Sequence, residues 1–467
     1  MSAATTATAT ASNGISTSSS GLKTPYAAGG VSLPAELLIT SARTIARTGE
    51  NPHVKLPRAL APLAERNFRY LWTGQAVSAA GDALAPVALA FATLQIAHTA
   101  SALGLVLAAS TTARVVLLPI GGVWADRLPR QLVMLSSDGI RAVAELTLAV
   151  LLIAGHMQLW MLIVLAGADG AASAFFMPAS GALVPQTVSA THLQQANALM
   201  GLTRSTSWVL GPAASGILVA VAGPGWVFAI DAATFIVSAL SLAMLRVPPM
   251  PAKAQTSFLA ELADGWRAVS SRTWYLINLC SHALWNFAIA AFFVLGPIVA
   301  KQHLGGASAW GLIGASMGAG SVVGGLIALR VVPRRPLVAA NLALTLAALQ
   351  PLALIGPAPI GLIMATGVLG FAGLTFLNEV WFATVPQLIP KDVLARANSF
   401  DWLVSLIAMP AGFAICGPVA DHIGIQATLV GAAILLAVPS VLIMLLPGVR
   451  GVRRTPDGLI VASTPGI

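Results

Sequence analysis

The chain has 467 residues, 57% of them hydrophobic and 9% charged, against about 25% charged in an average soluble domain. Those proportions exclude a soluble globular protein, and with only two cysteines, Cys280 and Cys416, both inside apolar stretches, neither a disulfide framework nor a cysteine metal site is expected. The formal charge of +9 does not imply nucleic acid, because the basic residues gather at the ends of apolar segments.

Residues 1–60 are rich in Ser, Thr, Ala and Gly and can bury no core, which predicts a disordered tail. Twelve apolar segments follow, at 68–96, 102–124, 132–155, 158–178, 195–222, 225–246, 273–299, 308–330, 337–355, 358–382, 395–421 and 424–447. Each approaches the 20 or so residues that a helix needs to cross a bilayer. Long runs of Ala, Leu and Gly satisfy their own backbone as helices, whereas barrel strands would alternate. The expected fold is therefore an all-α polytopic membrane protein of two six-helix bundles, 61–246 and 273–447. They are joined by a linker at 247–272 and followed by a tail at 448–467. Within the linker, FLAELADGWRAV has apolar residues near helical spacing and reads as an amphipathic helix at the membrane surface.

Arg66 and Arg69 flank the first segment, Arg127 and Arg130 follow the second, Arg330, Arg334 and Arg335 the eighth, and Arg450, Arg453 and Arg454 the last. The opposite loops carry Lys301 and little else. By the positive-inside rule both termini are cytoplasmic.

The halves repeat one another. ALVPQTVSATHLQQANALM from Ala182 and ATVPQLIPKDVLARANSFD from Ala383 share Pro185/Pro386, Gln186/Gln387, Leu193/Leu394 and Asn197/Asn398, each pair 201 residues apart. GGVWADRLPRQLV from Gly121 recurs as GGLIALRVVPRRPLV from Gly324. Duplicated halves in one membrane chain suit a transporter whose binding site lies between them.

Gly121-Gly122-Val123-Trp124-Ala125-Asp126-Arg127-Leu128-Pro129-Arg130 resembles the signature loop of the major facilitator superfamily, and the chain resembles its drug and siderophore efflux branch over Arg66–Pro447. The resemblance implies a cytoplasmic latch formed by Gly122, Asp126, Arg127 and Arg130, with Asp138 close by. The second copy has Leu329 where Asp126 would align, so the latch is expected on one side only. Gly211-Pro212-Ala213-Ala214-Ser215-Gly216 is similar to the superfamily's antiporter motif, although Ile217 stands where a second closing glycine would be. It implies export, with Gly211, Pro212 and Gly216 shaping the fifth helix.

Ionisable residues at membrane depth are costly and mark function. They concentrate in the first half: Asp82, Arg114, Asp169, Arg204 and Asp231 singly, and Asp138, Arg141 and Glu145 along one face of the third segment. Glu145, Asp82 and Asp169, with Arg141 as their partner, are the expected proton carriers, since a carboxylate whose cation moves can load and release a proton. A substrate cavity is expected to involve Arg204 and, from the second half, Trp285, Asn286, Phe292, Phe293 and Phe376.

Gly314-Ala315-Ser316-Met317-Gly318 matches the string of a nucleophile elbow but lies in an apolar helix, where helix packing explains it. No P-loop is present, so the energy source is expected to be an ion gradient. The resulting expectation is a monomeric plasma-membrane antiporter without cofactor or metal, exporting a small amphipathic compound in exchange for protons. Proton-coupled uptake on the same fold is the nearest alternative, and a receptor or an intramembrane enzyme the alternative of another class.

Overall fold

A computed structural model describes residues 58–247 and 269–462, together with 263 and 265–267; the side chains of Asp126, Asp392, Ala395 and Ser399 are outside that set. The expected disordered tail up to residue 57, and most of the expected amphipathic linker helix, lie outside the described residues. A short 3-10 helix, Arg58–Ala64, leads into the first span.

Twelve spans follow in order. Span 1 is Arg66–Ile96, span 2 Ala100–Arg127, span 3 Arg130–Ile153, span 4 Leu159–Thr187, span 5 Leu193–Ala222 and span 6 Pro224–Ala243. Span 7 is Thr273–Val299, span 8 Ala307–Arg330, span 9 Pro336–Ala353, span 10 Ile360–Leu388, span 11 Lys391–Ile423 and span 12 Ile425–Leu445. Eleven of these helices are long and apolar enough to cross a membrane. Span 3 falls short on composition only, since it carries Asp138, Arg141 and Glu145; it packs between spans 4 and 6.

Four spans differ from expectation. Span 1 is interrupted after Asp82 and resumes at Ala85, where Pro86 occupies the first turn of the new segment. Span 9 passes through a 3-10 turn at Thr345–Ala348. Spans 4 and 10 run nine and six residues past their predicted ends, to Thr187 and Leu388. Both carry an internal proline, Pro185 and Pro386, that reads as a terminator in a sequence. In each copy the side chain of the next residue folds back on its own helix, Gln186 donating to the Ala182 carbonyl at 3.1 Å and Gln387 to that of Ala383 at 2.7 Å.

The duplication is deeper in the structure than in the sequence. Gly223 and Gly424, 201 residues apart, both adopt positive φ (86° and 90°), each ending one span and opening the next. A side chain at Gly121 would strike the backbone of Ala174, joining spans 2 and 4; Gly324 meets Ala372 in the same way between spans 8 and 10. Gly211 abuts Ala83 on span 1, and Gly412, its equivalent on span 11, abuts Phe287 on span 7. Gly216 abuts Gly311 on span 8, and its equivalent Gly417 abuts Ser101 on span 2. These last contacts cross between the halves, as do those of Gly104 with Phe413 and Gly311 with Pro212, so two glycine-lined seams of matching design join the bundles.

The segment expected to be a tail is folded. Residues Pro447–Arg450 form one helical turn, and Val452–Arg454 pairs antiparallel with Ile460–Ala462. Val449, Val452 and Ile460 are buried against Trp274, Tyr275 and Trp381 of the second half. The Arg454 N–H donates to the Arg334 carbonyl and the Ile460 N–H to the Gln387 side chain, so the hairpin is pinned to the loop before span 9 and to the last turn of span 10.

Candidate functional site

Asp82 closes the first segment of span 1, beside the interruption. The Leu84 carbonyl, next to the break, accepts a hydrogen bond from the Ser215 hydroxyl at 2.6 Å, and Gly211 lets span 5 approach Ala83 closely. Arg141 on span 3 reaches Asp82 with its two terminal nitrogens and donates through Nε to Asp169 Oδ1 on span 4 at 2.8 Å. Its guanidinium also lies 4.0 Å from the centre of the Phe235 ring on span 6. The Arg141 side chain is 7% exposed, that of Asp169 17% and that of Asp82 38%, so solvent reaches the triad from the Asp82 side.

Behind the triad are three carboxylates that sequence spacing placed at membrane depth. Glu145, Asp138 and Asp231 are 3%, 0% and 0% exposed. Neither oxygen of Asp138 has a hydrogen-bond partner, nor do Oε2 of Glu145 and Oδ2 of Asp231. Asp138 was expected beside the latch; the structure instead seats it facing span 6, near Ser238 and within the field of Arg141. Span 3 turns this face inward because it is enclosed by spans 4 and 6.

Gly122 has open space around it, and the tight packing falls to its neighbour Gly121. Arg127 is exposed, and the Asp126 side chain lies outside the described residues. Arg130 donates to the Ala182 carbonyl at 2.9 Å, and Gln131 to the Leu242 carbonyl at 2.7 Å, so the described contacts of this loop hold spans 4 and 6 of its own half. A polar cluster missed in the sequence lies close in the chain to the same end. Glu65 accepts from the Ser189 N–H at 2.8 Å and the Ser189 hydroxyl at 2.7 Å, and its Oε1 lies 2.8 Å from His192 Nδ1. Partial burial raises the Glu65 pKa, but the hydrogen bonds from His192 and Ser189 outweigh it and leave the group below its ordinary value.

Of the expected cavity residues, Trp285, Phe292 and Phe376 are 6%, 1% and 6% exposed and belong to a hydrophobic core that also takes in Val87, Leu94 and Leu103 of the first half. Phe292 packs on Phe293 of its own helix and on Trp310 of span 8. Phe293 and Asn286 are half-buried, the latter donating to the His282 carbonyl at 2.9 Å, and Arg204 is exposed on span 5. The second half does contain a buried carboxylate, Asp401, which accepts from Trp381 Nε1 at 2.7 Å. Among the described residues no group of three or more His, Cys, Asp and Glu is placed to hold a metal ion.

At the end remote from the hairpin, two polar contacts cross between the halves. Lys301, just past span 7, donates to the Leu94 carbonyl at 2.8 Å, in the last turn of span 1. Asp421 on span 11 accepts from the N–H and hydroxyl of Ser101 in the first turn of span 2. A cation thus caps a helix C-terminus and an anion a helix N-terminus on either side of the 97–99 turn.

The chain is similar to known transporters throughout this region. It is 23% identical over 373 residues to macrolide efflux protein A of Streptococcus pyogenes, covering 77% of this chain and 90% of that protein. It is 26% identical over 396 residues to the enterobactin exporter EntS of Escherichia coli O1:K1 / APEC, covering 83% and 94%. Its fold matches a bacterial homologue of the iron transporter ferroportin solved in an inward-facing state, with a TM-score of 0.62 at 17% identity, covering 82% of this chain and 99% of that one. A bacterial homologue of the lysosomal transporter Spinster, also inward-facing, gives 0.61 at 13%, covering 84% and 97%. The model of the transmembrane secretion effector family matches residues 58–454, and the chain belongs to that family of major facilitator transporters.

Proposed function

We propose that this transporter exports a small amphipathic compound across the cytoplasmic membrane in exchange for protons, both termini being cytoplasmic. The observation that carries the reading is the Arg141 triad, backed by unpartnered carboxylates, in one half only. Removing one charge from a buried ion pair leaves the other uncompensated. Protonation of Asp82 or Asp169 therefore frees Arg141 to move, and Glu145 lies one turn away to accept or supply the proton. Export is supported by the efflux relatives and by Gly211, Pro212 and Gly216, which link the span 1 break beside Asp82 to span 8 of the other half. Rocking at the Gly216–Gly311 seam would shift span 5 against Ala83 and so disturb the triad.

The Lys301 and Asp421 contacts and the glycine seams lie toward the end opposite the hairpin, which supports a conformation closed to the outside. The latch loop, with Gly122, Asp126, Arg127 and Arg130, then engages in the opposite state. The test is transport into inverted vesicles under an imposed pH gradient, with a macrolide and enterobactin as trial cargoes. Accumulation of either should fall when the gradient is dissipated; accumulation that persists unchanged would exclude proton antiport. Glu145→Gln should uncouple transport, and full pH-driven activity would remove Glu145 from the proton path.

A further inference from the structure

We propose that Asp231 on span 6 is a second proton-binding site, occupied together with Glu145 in this conformation, so that the first half holds at least two protons. Its part in transport rests on the antiport reading above; its protonation does not.

Charge balance leads to this assignment. Five carboxylates surround a single buried cation: Asp82 from span 1, Asp138 and Glu145 from span 3, Asp169 from span 4 and Asp231 from span 6, all about Arg141. Arg141 is committed to Asp82 and Asp169 by direct hydrogen bonds, which already leaves that triad one negative charge in excess. Ionising Glu145, Asp138 and Asp231 as well would raise the excess to four, three of the charges on side chains no more than 3% exposed. Buried carboxylates that share one cation do not all ionise.

Asp231 is singled out by its surroundings. It is fully buried, it takes one hydrogen bond from its own helix, Thr234 Oγ1 to Oδ1 at 3.1 Å, and its Oδ2 has no partner. It occupies the space left because residue 81 is glycine: a side chain there would collide with Asp231 Oδ1 and Thr234 Oγ1. Gly81 adjoins Asp82, and Phe235, one turn on from Asp231, covers the Arg141 guanidinium. Asp231 is therefore beside the ion triad without a hydrogen bond to any of its members. An unpartnered oxygen at this depth is satisfied at least cost by carrying the proton itself.

Infrared spectroscopy of the reconstituted full-length protein tests this, with aspartate or glutamate carrying a 13C-labelled carboxyl group. At neutral pH the wild type should show protonated-carboxyl absorption in both pools. Asp231→Asn should remove part of the aspartic-acid band and leave the glutamic-acid band, which Glu145→Gln removes. An undiminished aspartic-acid band in Asp231→Asn overturns the proposal. Should that variant not fold, Asp138→Asn decides, because the remaining aspartic-acid band must then persist and its disappearance means that Asp231 is ionised. Bands behaving as expected in a protein whose transport ignores the pH gradient would sink antiport alone.

Discussion

Arg141 is the residue on which most of the buried charge depends. Its replacement by Ala would strand Asp82 and Asp169 and cost about 3–5 kcal/mol, measurable as a lowered midpoint of thermal unfolding in detergent. Lys at the same position keeps the charge but not the fork that serves two carboxylates, so it should restore stability in part and coupled transport less. Glu65 offers a milder case. Because its folded pKa lies below the unfolded value of 4.5, its contribution is complete above that pH and disappears as pH falls through the folded value. Glu65→Gln should destabilise the protein at neutral pH by roughly 1 kcal/mol. The difference from wild type should vanish in acid, and a constant difference across the titration would show that the charge plays no part.

The interrupted span 1 and the glycine face of span 5 act together. Ser215 secures the carbonyl next to the break, so Ser215→Ala should cost about 1 kcal/mol and shift the pH dependence of transport through Asp82. A purely structural hydroxyl would lower activity without moving the profile. The antiporter-like motif also gains a counterpart. Gly412 and Gly417 on span 11 repeat the contacts of Gly211 and Gly216, with Phe413 in place of Pro212. The glycines thus serve packing in both halves, and the proline marks what differs. Gly311→Val would force apart the backbones of spans 5 and 8 and should abolish transport while leaving the protein inserted, as read by transport assay and membrane yield.

For the molecule as a whole, alternating access needs the Lys301 and Asp421 contacts to break. Charges at helix termini contribute about 0.3–1 kcal/mol each, so Lys301→Ala with Asp421→Asn should favour the opposite conformation by about threefold to thirtyfold. Spin labels at exposed Leu105 and Ile415, on the far ends of spans 2 and 11, would report this as a growing long-distance population. An unchanged distance distribution would show that the glycine seams alone hold that end shut.

Hydropathy and spacing are local properties, so the membrane environment, the spans to within a few residues at most ends, the duplication and the depth of the ionisable side chains were legible in the chain. That depth placed Asp82, Arg141, Glu145 and Asp169 together as candidates, though not which of them pair. The packing of helix on helix made Arg141 bridge Asp82 and Asp169, turned Asp138 toward span 6, and buried Trp285, Phe292 and Phe376. The break beside Asp82, the seams built on Gly104, Gly216, Gly311 and Gly417, and the folded hairpin at the C-terminus were equally hidden. Each depends on which helix faces which, and a glycine or a buried aspartate has no meaning in a sequence until the neighbour that crowds it is known.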